Sequence, residues 1–462
     1  MKQSLSFDTD TLKPLMTDDF VLGIATSSYQ IEGATTAGGR TDSVWDTFCR
    51  KPGNIADQST GEVACDHYQH WQEDVALLVE LGVEVYRFSI SWSRVFPDDS
   101  GVVNEEGLSF YRRLAEALRS HGIRPMVTLH HWDLPQYLQD RGGWQNRDTA
   151  LRFAEYAAAV ATGLGSSVDF YTTINEPWCI VHLGHRTGVH APGLRDQGAA
   201  VAATHHLLLA HGLAMQALRE RAPSAELGIV LNGGPSYPYS ESNADAEAAS
   251  ILESEQIHRF AAPILSGHYP QDFQSQVATY MRPGDLETIA APCDYLGWNY
   301  YTRNLVKPGE NGVPEIVTGQ DYPLTEMGWE VYPEGLREVI SILREHYDVP
   351  PLYVSENGAA FEDQLDGETV HDPDRFHYIQ RHLQVITDMV QSGVDIRGYI
   401  CWTLLDNFEW AEGCSKRFGL VHVDFDTQER VIKDSGKAYA NLNADKARIM
   451  ASPREKRIDC AR

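Results

Sequence analysis

Eight short stretches of the chain are almost continuously apolar, and longer polar or amphipathic segments separate them. A strand covered on both faces has this composition, because neither of its faces meets water. The pattern therefore predicts eight buried strands at residues 21–26, 85–91, 124–131, 169–176, 227–232, 295–301, 351–357 and 396–404.

The segments between these runs carry apolar residues at helical spacing. Such stripes predict amphipathic helices that pack one face on a core. Asp372 and Pro373 are expected to be the N-cap and the first residue of one helix, while Gly122 and Gly393 follow the last turns of two others. The clearest stripes lie at residues 108–118, 336–347 and 376–390.

Eight strands that alternate with helices predict a closed (β/α)8 barrel of the TIM type, not an open doubly wound sheet. No GxGxxG motif follows the first strand, so a dinucleotide-binding fold has no support. We expect one domain over residues 1–445 and a basic, peripheral tail over 446–462. Residues 35–64 and 305–325 are predicted to be long loops at the C-terminal face of the barrel.

The net charge of the chain limits the classes of partner that it is expected to bind. The net charge of the 462 residues is −27, which argues against nucleic acid or an anionic membrane as a partner. The chain has no apolar run of the length that spans a bilayer, and its first residues do not resemble a signal peptide. We therefore expect a cytoplasmic protein.

The spacing of the cysteines and histidines argues against a bound metal or redox cofactor. The seven cysteines are irregularly spaced and form no CxxC motif, so reduced, mostly buried thiols are expected. His130 and His131 are adjacent, but adjacent side chains of a strand point to opposite faces of the sheet and cannot coordinate one ion together. No HExxH motif is present, and we expect neither a metal nor another cofactor.

Polar and aromatic residues collect at the carboxyl ends of the predicted strands, where barrel enzymes place their active sites. Glu176 follows Asn175 at one strand end, and Glu356 precedes Asn357 at another. A single Glu at such a position is usually a solvated rim residue, but two of them beside amides suggest paired catalytic carboxylates. Two carboxylates, hydrogen-bonding groups and flat aromatic faces together are what a carbohydrate site needs.

Several motifs occur in one order along nearly the whole chain: "VLGIATSSYQIEGA", "YRFSISWSRVFP", "VTLHHWDLP", "YTTINEPW", "YLGWNYYTRN", "YVSENGAA" and "WTLLDNFEWAEGCSKRFGL". In these motifs the chain resembles glycoside hydrolase family 1, the retaining β-glucosidases and their relatives. The resemblance implies hydrolysis of terminal β-D-glucosyl residues by double displacement through a covalent glycosyl-enzyme. It also implies small-molecule β-glycosides or short cello-oligosaccharides as substrates, a part in cellulose breakdown, and β-galactosides and β-fucosides as further candidates.

The same resemblance assigns roles by position. Glu356 matches the nucleophile and Glu176 the acid/base, two groups that lie about 5–5.5 Å apart in retaining enzymes. The resemblance implies that Arg87, Tyr301 and Asn299 support the nucleophile. It implies substrate-binding roles for Gln30, His131, Trp132, Asn175, Trp402, Glu409, Trp410 and Phe418, and aglycone-side roles for Trp178, Leu183 and Trp329.

Four positions depart from the family's usual residues. Tyr171 stands where Trp is usual, Ser355 where Thr is usual, Thr403 where Ser is usual, and Cys414 where Tyr is usual. The first three changes are small, and Tyr171 is expected to affect packing behind the site. The change at Cys414 is larger and is expected to open space near the site.

Two alternatives stay open. A 6-phospho-β-glucosidase of the same family typically has Ser at position 409, Tyr at 418 and Lys at 416, of which only Lys416 is present. A carboxylate at 409 would repel a phosphate, so an unphosphorylated sugar is favoured. The second alternative is a non-catalytic sugar-binding barrel. The natural aglycone and the oligomeric state are not determined by these patterns.

Overall fold

Eight parallel strands form a closed barrel in the computed structural model, which describes residues 5–310, 313–319 and 321–452. Each strand pairs with its neighbours in chain order, and the eighth pairs with the first from Val21 opposite Gly398 to Ala25 opposite Trp402. The predicted (β/α)8 barrel is confirmed. The strands are β1 Val21–Ala25, β2 Val85–Ser89, β3 Arg124–His130, β4 Phe170–Asn175, β5 Glu226–Asn232, β6 Tyr295–Asn299, β7 Leu352–Asn357 and β8 Ile396–Trp402.

Helices cover the outside of the barrel, because their apolar stripes and the outward faces of the strands bury each other. In the helix after β2, the predicted stripe from Leu108 to Leu118 is buried. The principal helices, one after each strand, are His67–Glu80, Glu105–Ser120, Asp148–Leu164, Gln197–Arg221, Arg259–Ser266, Glu334–His346, Pro373–Gln391 and Asp434–Ala451.

Shorter elements lie mainly in the connections that follow the strands. The short helices are Lys13–Leu15, Ser28–Ile31, Ala37–Gly39, Val44–Cys49, Trp92–Val95, Gln136–Gln139, Gly143–Gln145, Gly165–Ser167, Cys179–Arg186, Asn243–Glu253, Ser254–His258, Gln271–Val277, Asp285–Ile289 and Trp410–Ser415. The small sheets pair Ser236–Pro238, Asn304–Pro308 and Pro314–Val317, then Leu365–Asp366 with Thr369–Val370, and Val421–Val423 with Arg430–Ile432. The predicted loops at 35–64 and 305–325 therefore contain short regular segments.

Asp372 is the N-cap residue and Pro373 begins the helix, as expected, although the carboxylate of Asp372 makes no cap bond and instead contacts Arg375 and Ser435. One predicted boundary needs correction. The last helix runs through the predicted start of the tail at residue 446. Lys446 is buried, with its Nζ 2.6 Å from Glu84 Oε1, so this first residue of the predicted tail packs on the barrel, whereas residues 447–452 are exposed. Residues 453–462 of the predicted tail lie outside the described residues.

The inside of the barrel is filled at one end and polar at the other. Side chains near the amino ends of the strands, such as Met126, Phe170 and Tyr295, form an apolar plug. Further along the same strands the inward positions are charged or amide residues, for example Arg87 and Asn175. The plug therefore gives the polar end a closed floor.

Two global features of the described residues bear on the sequence-based expectations. No helix in the described part of the chain is both long and apolar enough to cross a bilayer. All six described cysteines are free thiols, and four of them are buried, as expected.

Candidate active site

A cavity of about 470 Å³ opens at the polar end of the barrel. Its wall is built from residues at or just after the carboxyl ends of the strands, where inward side chains of neighbouring strands converge. It brings together thirteen of the predicted site residues: His131, Trp132, Glu176, Trp178, Leu183, Asn299, Tyr301, Trp329, Glu356, Trp402, Glu409, Trp410 and Phe418.

Glu356 lies in β7 and is held by a cation and a phenol. Arg87 Nη1 of β2 donates to its Oε1, and the hydroxyl of Tyr301 donates to Oε2 at 2.8 Å. Both Arg87 and Glu356 are almost completely buried. Both oxygens of Glu356 therefore accept hydrogen bonds, one of them from a positively charged donor.

Glu176 stands one residue beyond β4 in a different setting. Its Oε1 accepts from Asn299 Nδ2 at 2.7 Å, and its Oε2 lies 3.2 Å from Cys179 Sγ, so both contacts come from neutral groups. Burial and the negative charge of Glu356 raise the pKa of Glu176 to about 8. Glu176 is therefore protonated near neutral pH.

The backbone at Glu176 is also unusual. Its φ is +49°, in the left-handed region that residues other than glycine rarely adopt. Trp132 and Trp410, which line the same cavity, have φ values of +78° and +49°. Strained non-glycine residues cluster where the surrounding structure holds side chains in functional positions.

Asn175 links the residues that bond to the two carboxyl groups. Its Oδ1 accepts from Arg87 Nη2 at 2.7 Å and from Asn299 Nδ2 at 3.1 Å. Its Nδ2 is 3.1 Å from His131 Nε2 and can only donate, so this ring nitrogen is the acceptor. Burial and the charge of Arg87 lower the pKa of His131 well below its usual range, which agrees with a neutral ring.

A polar and aromatic wall lies across the cavity. Glu409 Oε2 is within 3.4 Å of Gln30 Nε2, which also donates to Asn407 at 3.1 Å. Burial, followed by the charges of Glu356 and Glu176, raises the pKa of Glu409 to about 8. The ring of Trp402 lies nearly parallel to that of His131, with 5.8 Å between centroids. This wall offers hydrogen bonds and flat faces to a bound ring.

The mouth of the cavity is more apolar. Trp178 stacks on His182 at 4.6 Å, and Leu183 lies on the same short helix after β4. Trp329 approaches the wall from the loop after β6 and packs near Phe418, with 6.3 Å between ring centroids. These three predicted aglycone-side residues all line the cavity.

Three predicted site residues do not line the cavity. Gln30, Arg87 and Asn175 are fully buried and lie directly behind it, where each bonds to a residue of the wall. Cys414 is also absent from the wall, since its N–H bonds to Asp57 and Ser59 on a neighbouring loop. The expected opening of space near the site by Cys414 stays a prediction.

Two further expectations agree with the structure. His130 points away from His131 into a core of aromatic rings, at 5.3 Å from Trp144. Tyr171 is completely buried on the helix-facing side of β4, behind the site.

The structure adds cavity residues that the sequence interpretation missed, namely Cys179, His190 and Asn232. Asn232 ends β5, so the strand-end argument that selected the other residues applies to it as well. Cys179 is three positions after Glu176, and the turn between them carries it back toward the carboxylate. His190 lies in a loop, and no sequence pattern marks it.

Comparison with known proteins gives a consistent result. The profile described as Glycosyl hydrolase family 1 matches residues 13–448. The chain is 43% identical over 445 residues to the beta-glucosidase of Agrobacterium sp. (strain ATCC 21400), covering 94% of this chain and 96% of that protein. It is 44% identical over 457 residues to the bifunctional beta-D-glucosidase/beta-D-fucosidase of Bifidobacterium breve, covering 92% and 97%.

A solved structure of similar shape supports the same relationship. The beta-glucosidase from Thermotoga maritima in complex with glucoimidazole has a TM-score of 0.89 to this chain at 43% identity. The alignment covers 94% of this chain and 99% of that one.

Proposed function

The chain belongs to glycosyl hydrolase family 1, and from this premise we propose that Glu356 is its nucleophile and Glu176 its acid/base. The protein is a retaining β-glucosidase, which removes terminal non-reducing β-D-glucosyl residues in two displacement steps. Each step is assigned to side chains that line the cavity or lie directly behind it.

In the first step, a carboxylate oxygen of Glu356 attacks the anomeric carbon and forms a glycosyl ester. The bond from that carbon to the aglycone oxygen breaks, and Glu176 gives its proton to the departing oxygen. Arg87 and Tyr301 hold Glu356 in the ionised form that attack requires. The raised pKa of Glu176, about 8, keeps the proton available at neutral pH.

In the second step the roles change because the charges change. Once Glu356 is an ester it is neutral, so one of the two causes that raise the pKa of Glu176 disappears. Glu176 then takes a proton from water, whose oxygen attacks the anomeric carbon and releases Glu356. Two inversions give net retention of the anomeric configuration.

The observation that carries this assignment is the unequal surroundings of the two acids. Glu356 contacts a guanidinium and a phenol, whereas Glu176 contacts an amide and a thiol. Environments that push two carboxyl groups apart in pKa assign acid and nucleophile roles. The reverse assignment would require the cation-bound group to donate a proton.

The wall around Glu409 supports an unphosphorylated sugar. A phosphate at this place would lie near the negative charge of Glu356, which already acts on Glu409 through space. Gln30 and Glu409 instead suit sugar hydroxyls, which both donate and accept hydrogen bonds. A 6-phospho-β-glucosidase is therefore not favoured.

The apolar mouth supports small β-glycosides or short cello-oligosaccharides as the natural substrates. Trp178, Leu183 and Trp329 present rings and an alkyl group, which can cover either an aryl aglycone or a second sugar ring. β-Fucosides and β-galactosides are further proposed substrates, and a part in cellulose breakdown is proposed with them.

Chemical rescue tests the assignment of the two acids. Glu176→Gly should keep forming the glycosyl-enzyme from 2,4-dinitrophenyl β-glucoside, and added azide should release it as the β-glucosyl azide. Glu356→Ala should be inactive, and azide should yield the α-glucosyl azide by a single inversion. Product configuration is read by NMR.

Glu226→Ala is the matched control, because Glu226 lies at the amino end of β5, at the other end of the barrel. It should hydrolyse the glucoside without azide at the rate of the unmodified protein. A β-glucosyl azide from Glu356→Ala would reverse the assignment, and unchanged activity in both site variants would refute it.

A further inference from the structure

The two oxygens of Glu176 have different partners, and this difference identifies the oxygen that carries the proton. Asn299 Nδ2 lies 2.7 Å from Oε1, and an amide nitrogen can only donate. Oε1 must therefore offer a lone pair, so the acidic proton of Glu176 resides on Oε2. The protein atom that contacts Oε2 is Cys179 Sγ, at 3.2 Å.

The direction of the thiol's hydrogen bond is set by a third residue. Asn232 Nδ2, at the end of β5, lies 3.5 Å from Cys179 Sγ and donates to the sulfur. Since the sulfur accepts from Asn232, its own S–H is directed to its other polar neighbour, Oε2 of Glu176. The contacts form a relay from Asn232 through Cys179 to Glu176.

The backbone fixes this relay in place. The N–H of Cys179 donates to the carbonyl oxygen of Glu176 at 2.9 Å and closes the turn between them. Cys179 is 6% exposed and still borders the cavity, so it reaches the carboxyl without exposing itself to bulk water. Burial and the charge of Glu176 raise the pKa of the thiol well above its usual range, so it stays a donor.

We propose that Cys179 is a positioning residue of the acid/base, whose thiol orients Oε2 of Glu176 toward the leaving group and sets how readily that oxygen ionises. This inference rests on the proposed role of Glu176. A thiol is a weaker hydrogen-bond donor than a hydroxyl. Cys179 therefore holds Oε2 without stabilising the ionised form as strongly as Ser would, which leaves Glu176 a competent acid.

Other charged groups also face Glu176, and the test must leave them unchanged. Substitution at Cys179 alters none of them, so any shift in the ionisation of Glu176 is attributable to the contact with the thiol. The groups that act on it through space are Arg87 from β2, Tyr301 after β6, Glu356 from β7 and Glu409 after β8.

The experiment is the pH dependence of kcat/KM for phenyl β-glucoside, whose poor leaving group needs the proton. The alkaline limb of this profile reports the ionisation of the acid in the free enzyme. Cys179→Ser should move the limb to lower pH and Cys179→Ala to higher pH, each by roughly half a unit to one unit. A structural defect would lower activity at all pH values without this opposite displacement.

Cys293→Ser is the matched control, a thiol-to-hydroxyl change just before β6, at the far end of the barrel. Its alkaline limb should coincide with that of the unmodified protein. If Cys179→Ser fails to fold, the shift of the alkaline limb to higher pH in Cys179→Ala still tests whether the thiol acts on Glu176.

The same measurement in the variant Glu176→Ala distinguishes a failure of this inference from a failure of the proposed function. Glu176→Ala should lose the alkaline limb, and adding Cys179→Ser to it should change nothing further. Persistence of the limb in Glu176→Ala would overturn both the role of Glu176 and the inference. Loss of the limb there, with coincident limbs for Cys179→Ser, Cys179→Ala and the unmodified protein, would overturn only the inference.

Discussion

A buried charge cluster supports the loop that carries Glu409, and removing one cation from it is our principal stability prediction. Lys433 Nζ contacts Asp363 and lies 2.6 Å from Asp406, and all three side chains are completely buried. Three acids and three bases make the cluster neutral overall. Its members are Asp363, Asp372, Arg375, Asp406, Arg417 and Lys433.

Lys433→Met removes the shared cation and leaves two carboxylates without it. Breaking a buried pair by deleting one partner typically costs about 3–5 kcal/mol, because the remaining charge is neither solvated nor paired. Unfolding entropy is about 2.1 cal/mol/K per residue, so over a chain of 462 residues this loss lowers Tm by about 3–5 °C.

The effect should depend on pH in a defined direction. Burial acts to raise the pKa of Asp406, but Lys433 and the other basic neighbours outweigh it and hold this pKa below its usual range. A depressed pKa in the folded state stabilises the protein above the unfolded pKa of about 3.9, and this contribution is lost as pH falls through the folded value. The difference in Tm between Lys433→Met and the unmodified protein should therefore be largest near pH 7 and shrink below about pH 4.

Thermal unfolding followed by circular dichroism measures this difference at one fixed scan rate. The matched control is Arg397→Met, which breaks the exposed pair with Asp395 and should cost less than about 1 kcal/mol. The double variant Lys433→Met/Asp406→Asn should be more stable than the sum of the single changes predicts, because it leaves less unpaired charge. A Tm for Lys433→Met equal to that of the control, or a difference independent of pH, would refute the reasoning.

Three further predictions concern activity. The kcat/KM of the unmodified protein for phenyl β-glucoside should fall about tenfold per pH unit above about pH 8, as Glu176 loses its proton, and 2,4-dinitrophenyl β-glucoside should show a weaker fall. Tyr301→Phe removes a bond to the charged Glu356 and should lower kcat/KM about 10- to 100-fold, whereas Tyr322→Phe, outside the site, should not. Glu409→Gln should lower kcat/KM for a β-galactoside more than for a β-fucoside, which differs from it only by lacking the 6-hydroxyl, and equal losses would contradict a hydrogen bond between Glu409 and that hydroxyl.

The fold was predictable because the barrel strands carry an unusually clear signal. A strand buried on both faces must be apolar along its length, so eight runs were visible without any structural knowledge. The contacts of residues at helix ends were less predictable where tertiary structure decides them. Asp372 occupies the N-cap position as expected, but its carboxylate bonds to Arg375 and Ser435 and makes no cap bond. Lys446 looked like part of a basic tail, yet it pairs with Glu84 from a distant part of the chain.

The site was predictable wherever its residues stand at strand ends or in long motifs. Glu176 and Glu356 are 180 residues apart in the chain, and only the closure of the barrel brings their surroundings together. The sequence could not reveal Cys179 as a partner of Glu176, because a lone cysteine after a strand has no distinctive pattern. Nor could it reveal that the backbone N–H of Cys414 bonds to Asp57, since that contact depends on how two loops meet.

The surroundings of Asn175 explain how one cation can serve two acids differently. Arg87 has two terminal nitrogens, and one of them bonds to Glu356 while the other bonds to the amide oxygen of Asn175. A carboxylate at position 175 would compete with Glu356 for the guanidinium and would add a charge beside Glu176. A direct bond from Arg87 to Glu176 would stabilise its ionised form and remove the proton donor. The neutral amide of Asn175 satisfies Arg87 without either consequence, so we expect it, beside its predicted part in sugar binding, to preserve the proton on Glu176.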